Sequence, residues 1–255
     1  MPLAQFRECR TRALTLLVCG CGLASPVTAA AQAALEAPRP PANIEWWHGA
    51  LFLGGVSTLM LLDNAVKHGS QDLRSSRTDG LASTIRHFGQ PEIYATTAAG
   101  LLTAGLITGN PKITGAGRHL TASLALTSGV ILGSKALLGR ARPDDPFHDG
   151  DDFRVTSGDA SLPSGHTAMA FALATSLADD IHRPWATVGL YTAATAVGWS
   201  RINDDRHWLS DVAAGAVLGI ASAKFTSGRW TIFGLRAPSI MAGPGGIGLG
   251  WQASF

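Results

Sequence analysis

SLPSGHTAMAF, residues Ser161–Phe171, sets a proline, a serine, a glycine and a histidine at the head of an apolar run. Pro ahead of a helix and Ser at its cap are ordinary helix-start signals. The same residues also suit an anion. First-turn N–H groups have no carbonyl to pair with, Gly lets a ligand approach the backbone, and the positive end of the helix dipole favours negative charge. The apolar run behind this start sets the pattern for the rest of the chain. Runs of similar character cover Trp46–Leu62, Ile93–Ile107, Leu120–Leu138, Thr167–Ala178, Trp185–Trp199 and Val212–Phe225, with little of the alternation that marks strands. The expected fold is all-α, a six-helix bundle.

Several of these runs stay uncharged for about fifteen residues, where ~20 are needed to span a bilayer. Small residues such as Gly100, Gly105, Gly129 and Gly133 permit close helix packing in lipid or in water. Length therefore leaves a membrane-integrated bundle and a periplasmic one both open. Trp46, Trp47 and Trp185 sit at run ends, where either interfacial anchoring or ordinary packing would place them.

The 255 residues are 46% hydrophobic and only 15% charged, with a net charge of +2 and no dense basic stripe, which leaves no case for a nucleic-acid partner. Residues 1–33 read as a secretory signal peptide: a basic start, MPLAQFRECRTR, then a short apolar stretch, ALTLLVCGCGLA, then small residues at cleavage spacing. An uncleaved anchor is the alternative. Cys9, Cys19 and Cys21 all lie in this segment, so an exported mature chain would contain no disulfide. Residues 34–44 form a Pro-rich linker and residues 45–228 the helical domain. Residues 229–255 form an appendage whose short alternating runs around a PGG turn suggest a β-hairpin.

Three segments carry chemistry. KALLGRARP, Lys135–Pro143, spaces Lys135 and Arg142 seven apart, two turns on one face if the helix continues until Pro143 stops it. PSGH, Pro163–His166, supplies a hydroxyl, a helix N-terminus and an imidazole. SRINDDRHWLSD, Ser200–Asp211, adds the guanidinium of Arg201 and sets His207 and Asp211 at i and i+4. On a helix, that carboxylate would accept from one imidazole nitrogen and leave the other as a lone pair, which prepares a nucleophile. Together these are the parts for phosphoryl transfer without a metal: cations for the equatorial oxygens, one histidine to attack and another to protonate the leaving oxygen.

KxxxxxxRP, PSGH and SRxxxxxHxxxD, in this order with apolar helices between, resemble the signature of the type 2 phosphatidic acid phosphatase and vanadium haloperoxidase superfamily. The resemblance covers Lys135, Arg142, Pro143, Pro163, Ser164, Gly165, His166, Ser200, Arg201, His207 and Asp211, and leaves the tail outside. It implies that His207 forms a phosphohistidine, oriented by Asp211, and that His166 protonates the leaving alkoxide and then activates water. It also implies that Lys135, Arg142, Arg201, Ser164 and the Gly165 N–H bind the phosphate. The expected activity is a metal-free phosphatase acting on phosphomonoester or pyrophosphate bonds, chiefly of lipid phosphates, with a membrane as partner and the active site facing the periplasm. No cofactor is expected, and vanadate is expected to inhibit. The alternatives are a soluble periplasmic acid phosphatase acting on small phosphate esters, and a haloperoxidase in which vanadate becomes the cofactor. A non-enzymatic phosphate-binding protein is a third.

The acidic loop holding Asp144, Asp145, Asp149, Asp151, Asp152 and Asp159 lacks the spacing of a calcium loop and reads as solvated. Asp204 and Asp205 stand just ahead of His207, placed either to balance Arg206 or to tune the histidine.

Overall fold

Helix starts and stops follow from local chemistry in the computed structural model, which describes residues 41–147, 149–155, 160–243 and 246–250. The proposed signal peptide and most of the linker lie outside the described residues. All six expected helices form: α1 (Trp46–Asp72), α3 (Pro91–Thr108), α4 (Pro111–Leu138), α5 (Gly165–Ile181), α6 (Pro184–Asn203) and α7 (Leu209–Thr226). Proline opens α3, α4 and α6, where its missing N–H costs nothing, and Asn110 caps α4 by accepting from the N–H groups of Lys112 and Ile113.

A seventh helix, α2 (Ser76–Phe88), lies between α1 and α3. Its apolar content is too sparse to read as a run, yet Leu81, Ile85 and Phe88 share a face, and Ser75 and Thr78 form a reciprocal cap. Strand β1 (Ala42–Ile44), at the end of the expected linker, pairs in parallel with β2 (Trp230–Ile232), so the chain closes beyond its last helix against its first described residues. Strands β3 (Ser239–Gly243) and β4 (Gly246–Gly250) pair antiparallel, forming the hairpin expected in the tail.

Helix α5 lies against α4, α6 and α7. Its buried alanines, Ala170, Ala172 and Ala174, meet Leu120 and Leu124 of α4 and Ala194 and Val197 of α6. Small side chains let these helices approach closely, and glycine sets the limit between α5 and α7. A Cβ at Gly215 would stand 2.5 Å from the carbonyl oxygen of Ser164, and one at Gly219 would collide with that of Ala168. The glycines singled out in the sequence divide differently: Gly105 is pressed against Thr114, whereas Gly100, Gly129 and Gly133 face open space and mediate no close approach. Gly219→Ala is therefore expected to destabilise the protein by about 1–3 kcal/mol through overpacking. Gly129→Ala should be neutral or stabilising by up to ~1 kcal/mol, because it only reduces backbone freedom. Thermal unfolding of the two variants would distinguish them, and equal shifts would refute the close approach.

Three helices, α1, α4 and α7, are long and apolar enough to cross a membrane. Helix α1 is the least covered, exposing Leu51, Leu53, Leu61 and Leu62 and burying only Val56 and Asp63.

Candidate active site

The loops joining α4 to α5 and α6 to α7 bring the three segments to one end of the bundle, at the C-termini of α4 and α6 and the N-termini of α5 and α7. Lys135 stands in the last turn of α4, but Arg142 does not continue that helix. Gly139, at φ 55°, caps α4 in the left-handed conformation before Pro143 is reached, so Arg142 approaches from the following loop. The two cations therefore share a site without sharing a helix face. Lys135 Nζ donates to the carbonyl of Ala160 at 2.7 Å, which ties the end of α4 to the segment leading into PSGH.

Ser164 occupies the N-cap of α5 but does not cap it with its side chain. Its Oγ instead accepts from Thr167 at 2.9 Å, and its N–H donates to the backbone carbonyl of Asp211 at 3.0 Å. The Ser164 hydroxyl proton and the first-turn N–H groups of Gly165 and His166 are thereby left for a ligand at the helix N-terminus.

His207 precedes α7 rather than lying in it, since the helix begins at Leu209. The contact with Asp211 is correspondingly indirect. Nδ1 of His207 is 3.6 Å from Oδ2 of Asp211, too long for a good hydrogen bond, and Ser161 bridges the gap. The Ser161 hydroxyl lies 3.4 Å from His207 Nδ1 and donates to Asp211 Oδ2. The arrangement gives a chain from His207 Nδ1–H through Ser161 to Asp211, leaving Nε2 of His207 with the lone pair. Asp211 also accepts from the backbone N–H of Trp208 at 2.9 Å, so its carboxylate starts the helix and orients the imidazole together.

Behind Asp211 stands Arg140, which the sequence reading passed over. This fully buried guanidinium donates to Asp211 Oδ1 at 2.7 Å, to Ser210 Oγ at 2.7 Å and to Asp63 Oδ2 at 2.8 Å. Its Nε donates to the carbonyl of Gly150 at 2.6 Å. Asp63 is thus the polar tie between α1 and the site, and its Oδ1 accepts from the N–H of Ser210 at 2.9 Å.

Electrostatics separate the two histidines from ordinary surface imidazoles. Burial first, then the positive charges around it, Arg201 foremost with Lys135 and Arg86, push His166 down to about 4. Burial likewise lowers His207, against the pull of Asp211 and with help from Lys135 and Arg201. Both shifts favour the neutral imidazole at pH 7. The buried Nε atoms of Arg142 and Arg201 have no hydrogen-bond partner among the described residues, and an oxyanion would satisfy both. No group of three or more His, Cys, Asp or Glu among the described residues is placed to hold a metal.

The acids ahead of His207 take roles other than those expected. Asp204 Oδ2 accepts from Arg201 at 3.1 Å and from Arg86 of α2 at 2.6 Å, while Arg206 pairs with Asp144 of the acidic loop. Asp205 takes a left-handed φ of 57°, and its carboxyl is raised by burial. The acidic loop folds back on its own base, with the Ala141 N–H donating to Asp152 and the Arg154 N–H to Gly139.

Residues 116–231 match the PAP2 superfamily. A lipid A 1-phosphatase from Porphyromonas gingivalis is 42% identical over 99 residues, which make up 38% of this chain and 20% of that protein. The chain thus spans about a fifth of the length of this curated relative. Two solved structures share the fold. Aquifex aeolicus LpxE superposes with a TM-score of 0.52 at 22% identity, covering 65% of this chain and 94% of that one. The first transmembrane PAP2 type phosphatidylglycerolphosphate phosphatase, from Bacillus subtilis, superposes with a TM-score of 0.57 at 19% identity, covering 70% and 92%.

Proposed function

We propose, from the match of residues 116–231 to the PAP2 superfamily, that this chain is a membrane-associated phosphatase of that superfamily that removes phosphate from lipid phosphates through a phosphohistidine, without a metal. The observation that carries the reading is a neutral, buried His207, held from behind through Ser161 and Asp211, beside two guanidiniums whose buried Nε atoms lack partners. The preference for lipid rests on the low charge content, the three helices able to cross a membrane, and the activities named for the lipid A 1-phosphatase and the Bacillus subtilis protein. The signal-like composition of residues 1–33 supports a site on the periplasmic side.

The substrate phosphate sits at the N-terminus of α5, its oxygens held by Lys135, Arg142, Arg201, Ser164 and the Gly165 N–H. Nε2 of His207 attacks phosphorus, the P–N bond forms, and the P–O bond to the lipid breaks. His166 delivers its proton to the departing oxygen. In the second half, His166 takes a proton from water, the hydroxide attacks phosphorus, and the P–N bond breaks to return neutral His207 and inorganic phosphate. Arg140 and Asp63 touch neither substrate nor leaving group; they fix Asp211.

A proton must reach His166 before the first step, and the substrate itself favours it. Without an anion, burial and then the surrounding cations hold His166 neutral; a phosphate brings negative charge that offsets the cations and raises its pKa. The His166 imidazole is expected to titrate near 4 in the free protein and to move upward when inorganic phosphate binds, as followed by NMR. A midpoint at the usual histidine value of ~6.5 in both states would remove this electrostatic account.

The activity itself is tested by phosphate release from a panel of lipid and soluble phosphates in EDTA, with and without vanadate. Release in EDTA that vanadate blocks is the expected outcome, because vanadate imitates the five-coordinate transition state. Release only on adding a divalent metal would overturn the metal-free mechanism. Bromide oxidation with vanadate and peroxide, in the absence of phosphate release, would assign the site to haloperoxidase chemistry.

A further inference from the structure

The faces that carry the catalytic groups continue along their helices into an apolar cavity. On α5, His166, Ala170 and Leu173 fall at i, i+4 and i+7; on α6, Arg201, Val197 and Leu190 fall at i, i−4 and i−11. Ala170, Leu173, Val197 and Leu190 line a cavity of about 240 Å³, closed by Ile85 and Phe88 of α2. The cavity begins one helical turn, about 5 Å, from the histidine and the arginine that face the phosphate. Its outer wall also bounds an open apolar groove between α2 and α6. Ile85 and Ala196 line both, and Leu81, Val188 and Trp199 extend the groove toward the surface.

Helix α2 therefore faces both parts of a lipid phosphate. Arg86 is held by the same Asp204 oxygen that holds Arg201, while Ile85 and Phe88 on either side of it turn to the apolar cavity. Resting on the phosphatase reading above, we propose that this cavity, with the groove beyond it, binds the hydrocarbon chain of the substrate. The chain enters sideways between α2 and α6, and the preferred substrates are phosphates whose chain begins within a few bonds of phosphorus. The occupant follows from continuity with the phosphate site on two helix faces and from the apolar lining; a sugar or a soluble ester would leave that lining unfilled.

The test uses n-alkyl phosphates from butyl to dodecyl with the full chain, comparing wild type, Ala193→Trp and Phe88→Ala. Ala193 lines the cavity at an exposed position, so Trp there fills it without entering the core, and Phe88 is exposed enough for truncation to be tolerated. Each buried methylene contributes up to about fourfold in affinity. The wild-type kcat/KM is expected to climb with chain length until the cavity is full. Ala193→Trp is expected to cut the dodecyl-to-butyl ratio by at least about tenfold, and Phe88→Ala to reduce it less. Because detergent partitioning of the substrates is the same for every variant, an unchanged ratio in both variants would overturn the proposal.

Diacylglycerol phosphate and a prenyl phosphate, run alongside, would identify which natural chain the cavity prefers. Absence of turnover at every chain length would reject the phosphatase reading instead. The cavity would then be judged by binding of dodecyl phosphonate, where equal affinity in wild type and Ala193→Trp sinks it.

Discussion

His207→Ala is expected to reduce phosphate release by at least about a thousandfold while leaving the protein folded, because in the proposed mechanism the variant removes the atom that bonds to phosphorus and no neighbouring group replaces it. His207 lies at a loop position before α7, so its loss leaves the start of that helix to Trp208 and Asp211. The companion variant separates the two histidines. His166→Gln should lose about 10²–10⁴-fold on an alkyl phosphate, whose leaving oxygen needs a proton, and much less on p-nitrophenyl phosphate, whose leaving group departs as a stable anion. Without its base, that variant should also accumulate an acid-labile phosphoenzyme that can be trapped with radiolabelled substrate. Equal losses on both substrates and no trapped phosphoenzyme would remove His166 from both proposed roles. Full turnover by His207→Ala would end the phosphohistidine mechanism.

Much of this site was readable because its chemistry is concentrated in three short segments at helix ends. The apolar runs set the helices, and alternating helices with loops of moderate length return every second loop to the same end of the bundle. What escaped reading has identifiable causes. Gly139 and Pro143 both end helices, and spacing alone favoured the proline; the structure favours the glycine because a left-handed cap satisfies the last carbonyls four residues sooner. Ser161 belongs to the same short stretch as His166, but its role depends on how far His207 stands from Asp211, which an i, i+4 rule cannot supply when the helix starts after the histidine. Helix α2 was hidden by its charge, although its cap and its Leu81, Ile85 and Phe88 spacing were visible signals. Asp63 offered the clearest unused signal: an acid in the interior of the apolar Trp46–Asp72 helix is costly unless a partner neutralises it, so a buried cation elsewhere in the chain was implied.

That cation is Arg140, and its replacement carries the second large expected effect. Arg140 is 2% exposed and stands between Asp63, 3% exposed, and Asp211, fully buried, donating to both carboxylates. Arg140→Met would keep most of the volume and leave two buried acids facing each other without a counter-charge. Breaking a buried ion pair from one side costs about 3–5 kcal/mol, most of it the penalty of the stranded charge. If that is the cause, Asp63→Leu added to Arg140→Met should recover part of the loss, since one stranded acid is removed, and the double variant should be more stable than the sum of the singles predicts. Purely additive losses in urea or thermal unfolding would mean that the two residues act independently. Stability alone does not make Arg140 a positioning residue, and Arg140→Lys supplies the distinction. Lysine keeps the charge but cannot donate to Asp63, Ser210, Asp211 and Gly150 in one plane as the guanidinium does. The variant should stay folded with a lowered kcat, because Asp211 is no longer fixed behind Ser161 and His207, while phosphate affinity, assigned in the proposal to Lys135, Arg142 and Arg201, changes little. A folded Arg140→Lys protein with undiminished kcat would confine Arg140 to holding α1 against the bundle.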